Sequence, residues 1–179
     1  MKRDLHIFLM AAISMLVPAG VAAGASQEST STAASSHQHA STPQPATLPS
    51  PLSIPLDAGT LATLPRETVT ATWDDRTLHC EGVSMVSLLR VNQALPAQPL
   101  SGEALIRYVL VTSRAGDRVV YSLAELDPGL GNHAVFLVDR CEGEPLDDED
   151  GPLRLIAPHE FSDARWVRRV RSITVVTAP

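Results

Sequence analysis

Lysine, cysteine and aromatic residues are all scarce in this sequence. Lys2 is the single lysine, Cys80 and Cys141 are the two cysteines, and aromatic residues make up 4% of the chain. Basic residues are outnumbered, 14 to 20 acidic, so the field is negative overall; a nucleic-acid partner, which needs a net or locally dominant positive field, is excluded. The apolar run Leu5 to Val17 is 13 residues long, short of the roughly 20 that carry a helix across a bilayer. The chain has no G-x-S-x-G, no H-E-x-x-H, no P-loop and no C-x-x-C, so the common hydrolase, nucleotide and redox signatures are missing. His79, His133 and His159 are isolated histidines, which in a strand-rich domain read as structural or exposed.

The termini of that apolar run define what it is. Lys2 and Arg3 precede it and Ala23-Gly24-Ala25 follows as an A-x-A-like site, the pattern of a cleaved secretory signal peptide over residues 1–25. An uncleaved anchor is the alternative; no cysteine follows the site, which argues against a lipid anchor there. The expected location is the periplasm or outside the cell, with no membrane span after cleavage. Residues 26–51 are almost wholly Ser, Thr, Ala, Pro, Gln and His, too little apolar surface to offset the entropy of ordering, and read as a disordered linker. His37 and His39 within it form an H-x-H pair, but two imidazoles without a third ligand make a weak metal site, and polar linker residues are the plainer reading.

Residues 52–179 are the size of one domain. Without Lys2, Arg3 and Asp4, the 14 basic and 20 acidic residues become 12 and 19, a formal net charge of −7 in which every basic residue is arginine. Glu67 to Trp73 alternates β-branched residues like a strand, Asp74-Asp75 is a turn signal, and Thr77 to Cys80 is the returning strand of a hairpin that ends at Gly82. Ser84 is placed to cap a helix carrying Met85, Leu88, Leu89 and Leu95, interrupted at Asn92. Ala104 to Thr112, Arg118 to Leu123 and His133 to Val138 are short apolar runs suited to three buried strands in the middle of a sheet. Between them Ser122 to Pro128 reads as one helical turn ended by Pro128. Short helices among many strands, with no βαβ periodicity, predict an α+β fold with a mixed β-sheet core; a β-sandwich is second.

An even cysteine count in an oxidising compartment predicts a Cys80–Cys141 disulfide, provided the Cα atoms lie about 4.4 to 6.8 Å apart. The competing reading makes Cys80 a metal thiolate, alone or with His79; neighbours on a strand point to opposite sides, which disfavours the pair. Asp147-Asp148-Glu149-Asp150-Gly151 would offer oxygens to a hard cation but lacks the spaced acids and distal glutamate of a calcium loop, leaving a solvated turn. Arg168, Arg169 and Arg171 form a basic strip of opposite sign, which pairing with that turn would account for.

Two further elements, GPLRLIAP and ARWV, stand eleven residues apart from Arg154 to Arg165, and Gly82-Val83-Ser84-Met85-Val86-Ser87-Leu88-Leu89 follows a G-x-x-L-x-x-L-L pattern with Met85 at a leucine position. Together they resemble the molybdopterin-binding domain of sulfite-oxidase-type oxidoreductases over about Leu64 to Val176. The resemblance implies that family's α+β fold, a molybdopterin cofactor, and Arg154 and Arg165 as the residues near its phosphate and pterin, roles suited to bidentate arginine. The sequence departs from the pattern in two places. The family's metal-binding cysteine falls near Thr72 and Trp73, with Cys80 standing elsewhere, and its histidine before the PLR segment is replaced by Glu149 or Asp150, whose charge repels a phosphate. The expectation is a periplasmic molybdopterin-dependent oxidoreductase-like protein with a degenerate cofactor site, no assigned metal ligand or catalytic residue, and a redox or protein partner in the periplasm. The alternative is a non-enzymatic periplasmic binding or interaction module that keeps the fold without the cofactor.

Overall fold

The computed structural model describes residues 48–179, which fall within the compact unit Pro45–Pro179. The expected signal peptide, the linker up to residue 47 and the His37/His39 pair lie outside the described residues. The last residues assigned to the linker make contacts with the domain. The Pro49 carbonyl accepts from Arg107 Nη2 at 2.7 Å, and Ser50 Oγ accepts from the Thr177 amide at 2.8 Å.

Among the described residues, two antiparallel sheets and three short helices, the first of them α1 (Ala58–Ala62), make an α+β fold in the broad sense. The first sheet orders β1 (Leu52–Ile54), β9 (Val170–Thr177), β4 (Arg107–Ser113) and β5 (Arg118–Ser122). The second orders β2 (Glu67–Trp73), β3 (Arg76–Ser84), β6 (Phe136–Cys141) and β7 (Glu144–Pro145), and β8 (Arg154–Ile156) also pairs with β6. Every pairing between named strands is antiparallel, so the expected mixed sheet is resolved into two sheets of one kind. The three apolar runs do not share one sheet either. β4 is central in the first and β6 in the second, while β5 is an edge strand whose Val120 faces solvent. Apolar content alone does not separate a covered strand from an edge one; the alternation of Val119, Val120 and Tyr121 decides it.

The hairpin of β2 and β3 turns on Asp74 and Asp75, both at positive φ (48° and 59°), the conformation of a tight two-residue turn that short polar side chains tolerate. Gly82 does not end β3. The strand continues to Ser84, with a bulge between Glu81 and Gly82 where it pairs with β6. A side chain at 82 would put Cβ 2.2 Å from the Leu137 carbonyl oxygen, so glycine is needed there for close approach of two backbones. Ser84 then caps α2 (Met85–Val91), its Oγ accepting from the Ser87 amide at 3.2 Å. The helix stops at Asn92, whose side chain donates to the Leu88 carbonyl at 2.9 Å, and Leu95 is buried just beyond it.

The larger core collects Met85, Leu88 and Leu89 of α2 with Val109, Val111, Tyr121, Leu137, Leu155 and Ile173 from both sheets. A smaller cluster of Val69, Ala71, Cys80, Val138 and Ile156 lies within the second sheet's other face. Arg107, at the start of β4, is 4% exposed; burial pushes its pKa down, and among the described residues its guanidinium bonds only the Pro49 carbonyl, through Nη2. No helix among the described residues is long and apolar enough to cross a membrane.

Candidate functional site

β8 places Arg154 in the interior because its neighbours Leu153 and Leu155 are both covered and the strand is flanked by β6 and by a bridge from Leu155 to Val167. A buried guanidinium needs a partner, and the acidic turn supplies it. Asp147 Oδ1 accepts from the amides of Glu149 and Asp150 at 3.0 and 2.9 Å, which folds the turn back so that Asp150 Oδ2 accepts from Arg154 Nη1 at 2.8 Å. Asp150 Oδ1 lies 3.0 Å from Arg168 Nε, and Arg168 Nη1 donates to Glu149 at 2.9 Å. Arg154 also sits over the Trp166 ring, 5.5 Å from its centroid. Desolvation pushes its pKa down against the pull of Asp150.

Arg165 ends a 3-10 turn, Asp163–Arg165, capped by Ser162. Its guanidinium lies 4.2 Å from the Tyr121 ring centroid. Nη2 donates to Glu160 Oε1 at 2.5 Å, Nε to Glu160 Oε2 at 3.3 Å, and Nη1 to Glu125 Oε1 at 2.9 Å and the Val120 carbonyl at 3.2 Å. Glu125 does two things at once: its other oxygen accepts from the Ser122 amide at 2.9 Å, closing a capping box on α3 (Leu123–Leu126). His133 Nε2 is 3.0 Å from Glu160 Oε1 and its ring stacks on Tyr121, while the Tyr121 hydroxyl donates to the Arg165 carbonyl at 3.0 Å. Burial drives the phenol pKa far up, aided by the charge of Glu160. For Glu125 burial pulls upward, but the bonds from Ser122 and Arg165 outweigh it and the net shift is down. Burial lowers Arg165 in turn, and its two carboxylates raise it by more.

The two arginines assigned to a cofactor therefore share no partner, and each is bound to carboxylates of its own chain. Arg154 pairs with Asp150 of the acidic turn, whereas Arg165 uses Glu125 and Glu160. The capping-box spacing Ser122-x-x-Glu125 was a legible signal for the first, whereas nothing in the sequence marked Glu160. A phosphate entering here would have to displace a bidentate carboxylate from Arg165 or reach a side chain 6% exposed in Arg154. These residues do not fit a molybdopterin phosphate.

Cys80 and Cys141 are joined, with Sγ atoms 2.00 Å and Cα atoms 3.9 Å apart, so neither offers a thiolate. The Cα separation is below the range expected from sequence because the two residues are direct cross-strand partners. His79 turns the other way, toward Thr70 on the exposed side of the hairpin, as the strand alternation requires. Among the described residues no group of three His, Cys, Asp or Glu side chains is placed to hold a metal ion. Arg168 joins the acidic turn, but Arg169 and Arg171 make no ion pair among the described residues, so pairing with that turn accounts for only one member of the basic strip. No protein-family model matches the chain, and no curated protein matches it.

Proposed function

We propose that this domain is a non-enzymatic binding module of the periplasm that keeps a sulfite-oxidase-like fold without its molybdopterin. The observation that carries this is the occupation of both candidate cofactor arginines: Arg154 by Asp150, and Arg165 by Glu125 and Glu160. A site built to receive a phosphate keeps its guanidinium forks open; these two are used to fasten loops to the core. The disulfide supports the same reading, since it takes both sulfurs out of metal chemistry and suits an oxidising compartment.

The test is metal analysis and pterin fluorescence on the full chain expressed with its own leader in a host that makes molybdopterin. Folded, exported protein without molybdenum or pterin is expected. Stoichiometric molybdenum would restore the oxidoreductase reading and overturn this one.

A further inference from the structure

The strand β2, ETVTATW, is seven residues of strong strand formers without proline, lysine or glycine. It is the last strand of the second sheet, so one of its sides is open among the described residues. His79 shows which residues face that side. Its carbonyl accepts from the Glu142 amide and its amide donates to Glu142 Oε1, both at 2.7 Å. The backbone groups of His79 thus point away from β2, and its cross-strand partner Thr70 exchanges no backbone bonds with it. By the alternation of an antiparallel ladder, Thr68, Thr70 and Thr72 all turn their N–H and C=O groups to the open side, where none has a partner among the described residues. Their side chains are exposed. The edge at β5 is treated differently: Arg165 Nη1 donates to the Val120 carbonyl at 3.2 Å, and Glu125 accepts from the Ser122 amide at 2.9 Å. Exposed edges are usually blunted by such caps, or by lysine, proline or a bulge, and β2 has none of these against its open side.

We infer that β2 is a pairing edge for a second copy of this chain, joined antiparallel about a twofold axis at Thr70. In that register Thr70 faces Thr70 of the other copy and Thr68 faces Thr72, each pair exchanging both main-chain bonds, and threonines suit facing positions. The ends of the hairpin complement one another in charge. Glu67 and Arg76 are exposed and make no ion pair among the described residues; they sit at opposite ends of the hairpin, so they do not meet within one copy. The twofold pairing sets Glu67 opposite Trp73 of the other copy, whose own cross-strand partner, on the same face, is Arg76. That match favours a second copy over a foreign extended peptide. The contact is the same patch on both copies and uses up the open edge of each, so association stops at two. A ladder this short buries less than the roughly 1,600 Å² of a standard interface, which makes the dimer reversible and concentration-dependent. The inference goes beyond the binding-module reading and does not depend on it.

Analytical ultracentrifugation of the exported chain between about 1 µM and about 1 mM tests it, and a reversible monomer–dimer equilibrium is expected. Thr70→Lys sets two ammonium groups face to face and should weaken the dimer about tenfold or more, whereas Thr77→Lys, one strand further in on the same face, should leave it unchanged. Glu67→Arg should also weaken it, and adding Arg76→Glu should restore it. Formation of the Cys80–Cys141 crosslink in each variant checks that the fold is intact. Hydrogen exchange needs no variant: the amides of Thr68, Thr70 and Thr72 should be protected in concentrated protein and exchange freely on dilution. A chain monomeric throughout, a dimer indifferent to Thr70→Lys, or a charge swap that fails to restore association would each overturn the assignment. So would protection of those amides that is independent of concentration, which gives the edge to residues 26–47 of the same chain, or protection that appears only with an added extended peptide, which gives it to a foreign strand. Molybdenum content of the same samples reports on the module reading separately.

Discussion

Cys80 and Cys141 form a directly opposed pair across β3 and β6, flanked by the Glu142 amide donating to the His79 carbonyl at 2.7 Å. Because that bond joins the residues on either side, the cysteines themselves are a pair that exchanges no backbone hydrogen bonds, the kind whose Cα atoms lie closest. The crosslink fixes the register of the second sheet's central strands and closes a segment of 61 residues. In the chain-entropy account such a loop contributes about 4 kcal/mol. Replacing both cysteines by alanine should lower the urea unfolding free energy by up to that amount, and reduction of the native protein should move its midpoint the same way. A midpoint indifferent to reductant would show that the sheet holds its register unaided.

Glu125 should make the domain acid-sensitive. Burial raises its pKa, but the bonds from Ser122 and Arg165 lower it further, and the folded value lies below the ordinary 4.5. A carboxylate with a depressed folded pKa contributes stability that is present above its unfolded value and lost as pH falls through the folded one. Urea midpoints taken from neutrality down to about pH 3 should therefore fall, and Glu125→Gln should flatten part of that decline. Glutamine still accepts the cap bond from Ser122, so what the variant removes is the charge facing Arg165. A variant curve as steep as the native one would assign the acid sensitivity elsewhere.

Much of the second sheet was legible in the sequence because its signals are local. Alternation in Glu67–Trp73, the Asp74-Asp75 turn and the Ser84 cap each depend on residues within a few positions of one another, and all three appear as expected. The division into two sheets was not legible, since partner choice among β3, β4, β6 and β9 is made by residues more than fifty positions apart. The partners of the two candidate arginines divide in the same way. Arg154 and Asp150 are four residues apart and their pairing follows from spacing, whereas Arg165 finds Glu125 forty residues away, across the fold.

The two pairs made by Asp150 should differ in strength although they share a carboxylate. Arg154 has a side chain 6% exposed, so its removal takes from Asp150 its buried partner, leaving only the exposed Arg168, and uncovers one face of Trp166. Arg168 is 43% exposed, and its pairs with Glu149 and Asp150 are screened by water. Arg154→Ala should cost about 3 kcal/mol in chemical unfolding and Arg168→Ala under about 1. Equal costs would mean that Trp166 and Asp150 are not where Arg154 draws its stability.

Gly82 should tolerate no side chain. A Cβ there meets the Leu137 carbonyl oxygen at 2.2 Å and Val138 Cα at 2.5 Å, both backbone atoms of the central strand β6, which cannot move aside without breaking the β3–β6 ladder. Gly143 is the useful contrast. It has φ 82°, and a Cβ added to it meets nothing within 4 Å, so alanine there costs only the left-handed backbone, about 1 kcal/mol. Gly82→Ala should cost more than about 3 kcal/mol or prevent folding, because the strain falls where the bulge, the disulfide and the smaller core meet. The comparison is read from unfolding midpoints of the two variants and, for Gly82→Ala, from the yield of folded, oxidised protein. A Gly82→Ala protein as stable as Gly143→Ala would show that the two strands separate readily at the bulge.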